Sequence, residues 1–196
     1  LINNAGTFTN WYESTEDGYE TQFAVNHLAP FLLTLELLPL LQAAPAARVL
    51  TVSSKSHRRT SIQWGNVMLR RRYKPLLAYK QSKLANILFT REFNRRFGGN
   101  AGVRAFALDP GLVNTNIGRK HSNGIARWFW EQRSARGISP QESAADIVFV
   151  ALHSSVDEAE ADYWKNRKPA KTSRYAWQEY EAAKLWALSE RLCGIG

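Results

Sequence analysis

Apolar residues between Asp17 and about Leu41 recur at helical spacing, at Phe23, Leu28, Phe31, Leu32, Leu35 and Leu38. Ahead of them, Leu1-Ile2-Asn3-Asn4-Ala5 reads as a short strand closed by Gly6. Arg48 to Val52 is a β-rich run bounded upstream by Pro45, and residues 55–77 are polar, basic and irregular. A second helical pattern runs from about Ala78 to Phe97 and stops at Gly98-Gly99. Val103 to Leu108 is another strand, ended by Asp109-Pro110-Gly111. Ser139-Pro140-Gln141-Glu142 sets an N-cap Ser, a first-position Pro and a third-position Glu, which predicts a helix to about His153. A last helix is predicted over roughly Tyr175 to Leu192.

This alternation of strand and helix predicts an α/β domain, a doubly wound parallel sheet with helices on both faces. No repeat, low-complexity stretch or linker divides residues 1–196, so one domain is expected. The chain is long enough for a sizeable core, and 44% hydrophobic content argues against wholesale disorder. Cys193 is the single cysteine, which excludes an internal disulfide and suits a reducing compartment. No apolar run of about 18 residues or signal-like leader occurs, so a cytoplasmic location is expected. The formal net charge is +9, with basic groups at Arg58-Arg59, at Arg70-Arg71-Arg72 and from Lys165 to Arg174. Without a helix-turn-helix, zinc ligand set or RNA-binding motif, these read as solvated loops or as attraction to an acidic membrane surface, not as a nucleic-acid site. No metal is expected.

In a parallel sheet, ligands sit beyond the carboxyl ends of the strands. The polar signals fall there: Asn3 to Gly6, Ser53-Ser54, and Pro110-Gly111. Tyr79 and Lys83 lie at i and i+4 on one helix face, where an ammonium lowers a phenol's pKa and makes Tyr79 a candidate proton donor and acceptor. The pattern is short, and taken alone it also describes a surface pair.

Asn3-Asn4-Ala5-Gly6, Val25-Asn26, Val52-Ser53-Ser54, Tyr79-x-x-x-Lys83 and Pro110-Gly111-x-x-x-Thr115 stand in the order and register of the short-chain dehydrogenases/reductases. The strings FAVNHLAPFLLTLELLPLL, RVLTVSSKSH, AYKQSKLANILFTREF and LDPGLVNTNI resemble its retinol-dehydrogenase-like branch. The resemblance implies a Rossmann-like fold and an NAD(P)-dependent oxidoreductase acting on a lipophilic alcohol, aldehyde or ketone, with NADP the branch's tendency. Tyr79 would exchange the proton with the substrate oxygen, Ser54 would hydrogen-bond that oxygen, Lys83 would lower the Tyr79 pKa and hold the nicotinamide ribose, and Asn26 would anchor a proton-relay water. Asn4, Ala5 and Gly6 would line the adenosine side of the cofactor; Pro110, Gly111, Val113 and Thr115 would frame the nicotinamide. Asn3 and Ser53 are expected to be structural, Asn3 by tying adjacent strands.

The step from Ser54 to Tyr79 is longer than the family's common spacing and reads as a loop inserted over the site. Trp128, Phe129 and Trp130 fall in the family's substrate lid, where they suit a lipophilic substrate or simply pack the lid. The family's helices holding Asn26 and Tyr79 often form a homodimer, and its retinol dehydrogenases are often attached to membranes at the cytosolic face. Pro30 lacks the N–H that would bond the Asn26 carbonyl, which predicts a kink there and a carbonyl open to water. The family's T-G-x-x-x-G-x-G phosphate loop does not occur in these residues. They therefore correspond to the C-terminal two-thirds of such a domain, an N-terminally incomplete unit with an exposed sheet edge. The alternative reading is a non-catalytic relative that acts through protein contacts.

Overall fold

The structure, a computed structural model, describes residues 1–99, 102–113 and 137–195. Its sheet has five strands in the order β1 (Ile2–Asn3), β2 (Ala47–Val52), β3 (Val103–Asp109), β4 (Tyr163–Lys165) and β5 (Lys168–Pro169). The first four run parallel and β5 returns antiparallel. Side chains alternate between the two faces with the period of an extended chain. Val49, Val103 and Ala105 pack against Phe89, Phe93 and Trp186, whereas Leu50, Val52, Phe106, Leu108 and Trp164 pack on the other side with Val150 and Val156. Both faces are covered, which is why β2 and β3 read as near-continuous apolar runs.

The helices are α1 (Thr21–Phe23), a wide π-type turn (Ala24–Leu28), α2 (Ala29–Glu36), α3 (Leu38–Ala43), α4 (Pro75–Phe97), α5 (Pro140–Leu152), α6 (Ser155–Glu158) and α7 (Glu179–Cys193). α4, with Pro75 in its first turn, lies over β2 and β3 and is backed by α7. α5 opens with the predicted capping box between Ser139 and Glu142.

Three expectations are corrected. The first helix begins at Thr21 rather than Asp17, where Glu20 accepts from the Phe23 N–H and caps it. It does not break at Pro30: the Ala29 N–H bonds Ala24 O, five residues back, and the widened turn leads directly into α2. A π-type turn thus absorbs the missing proline donor. Asn3 ties β1 to a helix instead of to a strand, through Nδ2 to Thr34 Oγ1 at 3.0 Å. The edge hairpin β4–β5 left no sequence signal, because it is short and its turn uses Asn166 and Arg167 at positive φ (48° and 59°) where glycine is commoner.

Candidate active site

Ser53 and Ser54 follow the end of β2 and divide the labour. Ser53 Oγ donates to Lys83 O at 2.7 Å and pins the strand end to α4. Ser54, extended at φ −167° and ψ 153°, starts a tight turn, and its Oγ accepts from the Ser56 N–H at 3.2 Å. Tyr79 lies early in α4, half-buried and edge-on to Phe8 at 5.7 Å, with the Ser54 side chain among the groups that act on its phenol. One turn on, Lys83 is buried, with Nζ 5.7 Å from the Tyr79 ring centroid and donating to Val52 O at 3.0 Å. The i and i+4 stacking expected from spacing is therefore present.

Asn26 is fully buried in the wide turn. Its Oδ1 accepts from the Thr7 N–H at 2.7 Å, and its Nδ2 donates to Thr7 O and to Ser82 Oγ, both at 3.0 Å. The side chain thus holds the loop after β1 against α4. A Cβ on Gly6 would stand 3.3 Å from Lys83 Nζ and 3.4 Å from Asn26 Oδ1, so a larger residue here would fill the space beside the ammonium. Asn4 and Ala5 are exposed just before it. At the end of β3, Pro110 is half-buried, Gly111 takes φ +78°, and Val113 bridges to Ile138. Thr115 and the aromatic segment Trp128-Phe129-Trp130 lie outside the described residues.

The electrostatics correct one expectation. Burial pushes the Tyr79 phenol up to about 12, with the Ser54 hydrogen bond pulling down and the Asp109 carboxylate pushing up, and burial holds Lys83 down at about 8. In this state the ammonium is spent on Val52 O, and desolvation outweighs it. Asp109, which the sequence marked only as a strand stop, lies close enough to act on the Tyr79 phenol: it is buried, accepts from the Gly111 N–H at 3.1 Å and pairs with Lys165 Nζ at 2.9 Å. His57 is a second unforeseen neighbour, fully buried under Ser54.

Ser54 just after β2, with Tyr79 and Lys83 of α4 beside it and Asn26 behind, can bind a carbonyl or hydroxyl oxygen and move a proton at it. The short chain dehydrogenase family profile matches residues 1–125. The chain belongs to that family. Along its whole length this short-chain dehydrogenase is 41% identical to retinol dehydrogenase 14 of Mus musculus, covering 59% of it, and 37% identical to retinol dehydrogenase 11 of Homo sapiens, covering 60%. It thus spans about three fifths of those curated relatives. A solved uncharacterized protein from Mycobacterium Paratuberculosis superposes with TM-score 0.72 and 37% identity, over 99% of this chain and 66% of that one. The NADPH-bound carbonyl reductase from chicken fatty liver shares the fold at TM-score 0.58 and 24% identity, over 88% of this chain and 64% of the other.

Lys83 gives this short-chain dehydrogenase a pH signature. Its folded pKa lies below the unfolded value, so between about pH 8 and 10 the unfolded chain holds a proton that the folded chain has released, and stability rises with pH. Above that window, Tyr79 and Tyr73, both raised, act in the opposite direction. Thermal midpoints at pH 7.5 and 9.5 should show the rise in the wild type and a flattened one in Lys83→Met.

Proposed function

We propose that this chain carries the reactive centre of an NAD(P)-dependent oxidoreductase that interconverts a lipophilic alcohol and its aldehyde or ketone. The observation that carries the reading is the Ser54–Tyr79–Lys83 cluster, backed by Asn26, at the carboxyl ends of parallel strands. Tyr79 gives a proton to, or takes one from, the substrate oxygen; Ser54 hydrogen-bonds that oxygen as charge develops. Lys83 supplies the cation that a buried phenolate requires. Asn26 holds the loop beneath them and serves the proton path.

The residues fit a nicotinamide cofactor at this end: the Cβ-free side of Gly6 opens beside the Lys83 ammonium and the Asn26 amide. Asn4, Ala5, Gly6, Tyr79, Lys83, Pro110, Gly111, Val113 and Thr115 would hold it. When bound, it supplies or accepts the hydride. NADP and NAD are both compatible with these residues. The names of the retinol dehydrogenases similar to this chain support a lipophilic substrate. Exposed Arg70-Arg71-Arg72 support attraction to an acidic membrane surface, and no helix among the described residues is long and apolar enough to cross a membrane. The α2 and α4 helices would supply a homodimer interface.

Fluorescence titration of the chain with NADPH and with NADH, followed by turnover of a panel of aldehydes, tests the reading. Saturable binding is expected, with Gly6→Val weakening it by about tenfold or more, since the added methyls meet Lys83 and Asn26. A folded wild-type chain that binds neither cofactor would favour a non-catalytic relative acting through protein contacts.

A further inference from the structure

We infer that His57 is a positioning residue that sets Ser54 against Tyr79 by clamping the turn after β2 to the segment around Ser173; the inference rests on the reading of Ser54 and Tyr79 as the reacting pair. His57 ends that turn, is fully buried, and has both ring nitrogens engaged. Nδ1 lies 2.6 Å from Ser54 O, and Nε2 lies 3.2 Å from the Ser173 backbone nitrogen. A carbonyl can only accept and an amide N–H can only donate. The ring must therefore be the neutral tautomer with its proton on Nδ1 and a bare Nε2. An imidazolium or the other tautomer would oppose at least one of these bonds.

The clamp closes on α4. The segment that receives His57 is held by Arg91 of α4, through Nη2 to Thr172 Oγ1 at 3.1 Å and Nη1 to Ala176 O, and Arg91 is itself fixed by Asp162 at 2.8 Å. A second tie runs from Arg58 Nη2 to Lys171 O at 2.5 Å. Tyr163 of β4 packs edge-on to the imidazole at 5.3 Å and limits its rotation. From Ser54 the path passes to His57, to the segment around Ser173 and to Arg91, and so reaches the helix that carries Tyr79. Ser54 and Tyr79 are thereby placed relative to one rigid element. The bond from Nδ1 reaches the carbonyl of Ser54 itself, so it constrains the backbone torsion that aims Oγ.

Two substitutions separate the two bonds. The shorter amide of His57→Asn can still donate to Ser54 O, whereas that of His57→Gln can accept from the Ser173 N–H but overshoots Ser54. Amide exchange is read at Ser56, whose N–H bonds Ser54 Oγ, and at Ser173, each as a ratio to Phe106 in the sheet so that global opening cancels. In His57→Gln, Ser56 exchange should accelerate by about tenfold, the cost of one lost hydrogen bond, and kcat for an aldehyde with NADPH should fall by a similar factor with KM for NADPH little changed. His57→Asn should recover most of both while Ser173 exchange accelerates. Equal losses in the two variants, tracking their thermal midpoints, would reduce His57 to a staple and overturn the proposal, as would a His57→Gln protein with Ser56 still protected. If the wild-type chain turns over no aldehyde, the oxidoreductase reading fails while the Ser56 ratio still decides this one.

Discussion

Replacing Tyr79 by Phe is expected to lower kcat/KM for aldehyde reduction by about 10²–10⁴-fold, the range a positioned acid or base contributes. The substitution deletes one oxygen and leaves the ring, so the edge-on contact with Phe8 survives. What is lost is one hydroxyl with its interaction toward the Ser54 side chain, and folding stability should change by about 1 kcal/mol or less. The near-isosteric variant therefore isolates chemistry from structure. Because burial keeps the phenol protonated up to about 12 in this state, the proposed role would have Tyr79 enter carbonyl reduction already carrying the proton it gives. The reverse reaction, alcohol oxidation, needs the phenolate, so its rate should climb with pH while reduction stays comparatively flat through neutrality. Steady-state rates in both directions, set beside near-UV circular dichroism of both proteins, check this. A folded Tyr79→Phe that retains activity within a few-fold would move the proton transfer elsewhere, to Ser54 or to Lys83.

How much of this was visible before folding depends on the range of the interaction. The order of strands and helices was legible because β2, α4 and β3 are long enough to display their periods, and the candidate residues were legible because Ser54 and Pro110-Gly111 follow strand ends while Tyr79 and Lys83 keep i, i+4 spacing inside α4. Two neighbours were not. The contact between His57 and Ser173 spans 116 positions, and the ion pair of Asp109 with Lys165 of the edge hairpin spans 56. No local pattern encodes either. Pro30 shows the intermediate case: the missing donor was readable and correctly located a disturbance, but its outcome, a wide turn instead of a kink, depended on where the surrounding helix was already anchored. That anchor includes Asn26, whose amide is committed to Thr7 and Ser82. Charge was the least legible. Spacing placed Lys83 under Tyr79, yet the sign of the phenol's shift was decided by burial, which sequence spacing does not report.

Trp186→Ala is expected to be the most damaging single change to the fold, at about 3–5 kcal/mol, a large part of a typical domain's total stability. Trp186 is buried in α7, stacked on Phe89 at 5.8 Å and met edge-on by Phe31 at 5.0 Å, with the Arg96 guanidinium 4.6 Å from its ring and its Nε1 donating to Glu190 at 2.6 Å. It fastens α7 across the rear of α2 and α4, a junction completed by His27 Nε2 against Ser189 Oγ at 2.9 Å. The removed indole leaves a cavity that the rigid phenyl rings of Phe31, Phe89 and Phe97 cannot readily fill. The control is Trp177→Ala: that residue lies 3.6 Å from the Arg91 guanidinium but is 64% exposed, and its loss should cost about 1 kcal/mol or less. Urea unfolding of the two variants should separate them by about 2 kcal/mol or more, and equal costs would mean that α7 is not fastened through Trp186. The consequence reaches the site, because α4 carries Tyr79 and Lys83 on the side turned to the strand ends while its opposite side is what α7 supports. A homodimer through α2 and α4 would have to use the surfaces α7 leaves open, such as the one bearing Leu33, so loosening α7 should disturb both the register of the reactive pair and the faces available to a second copy.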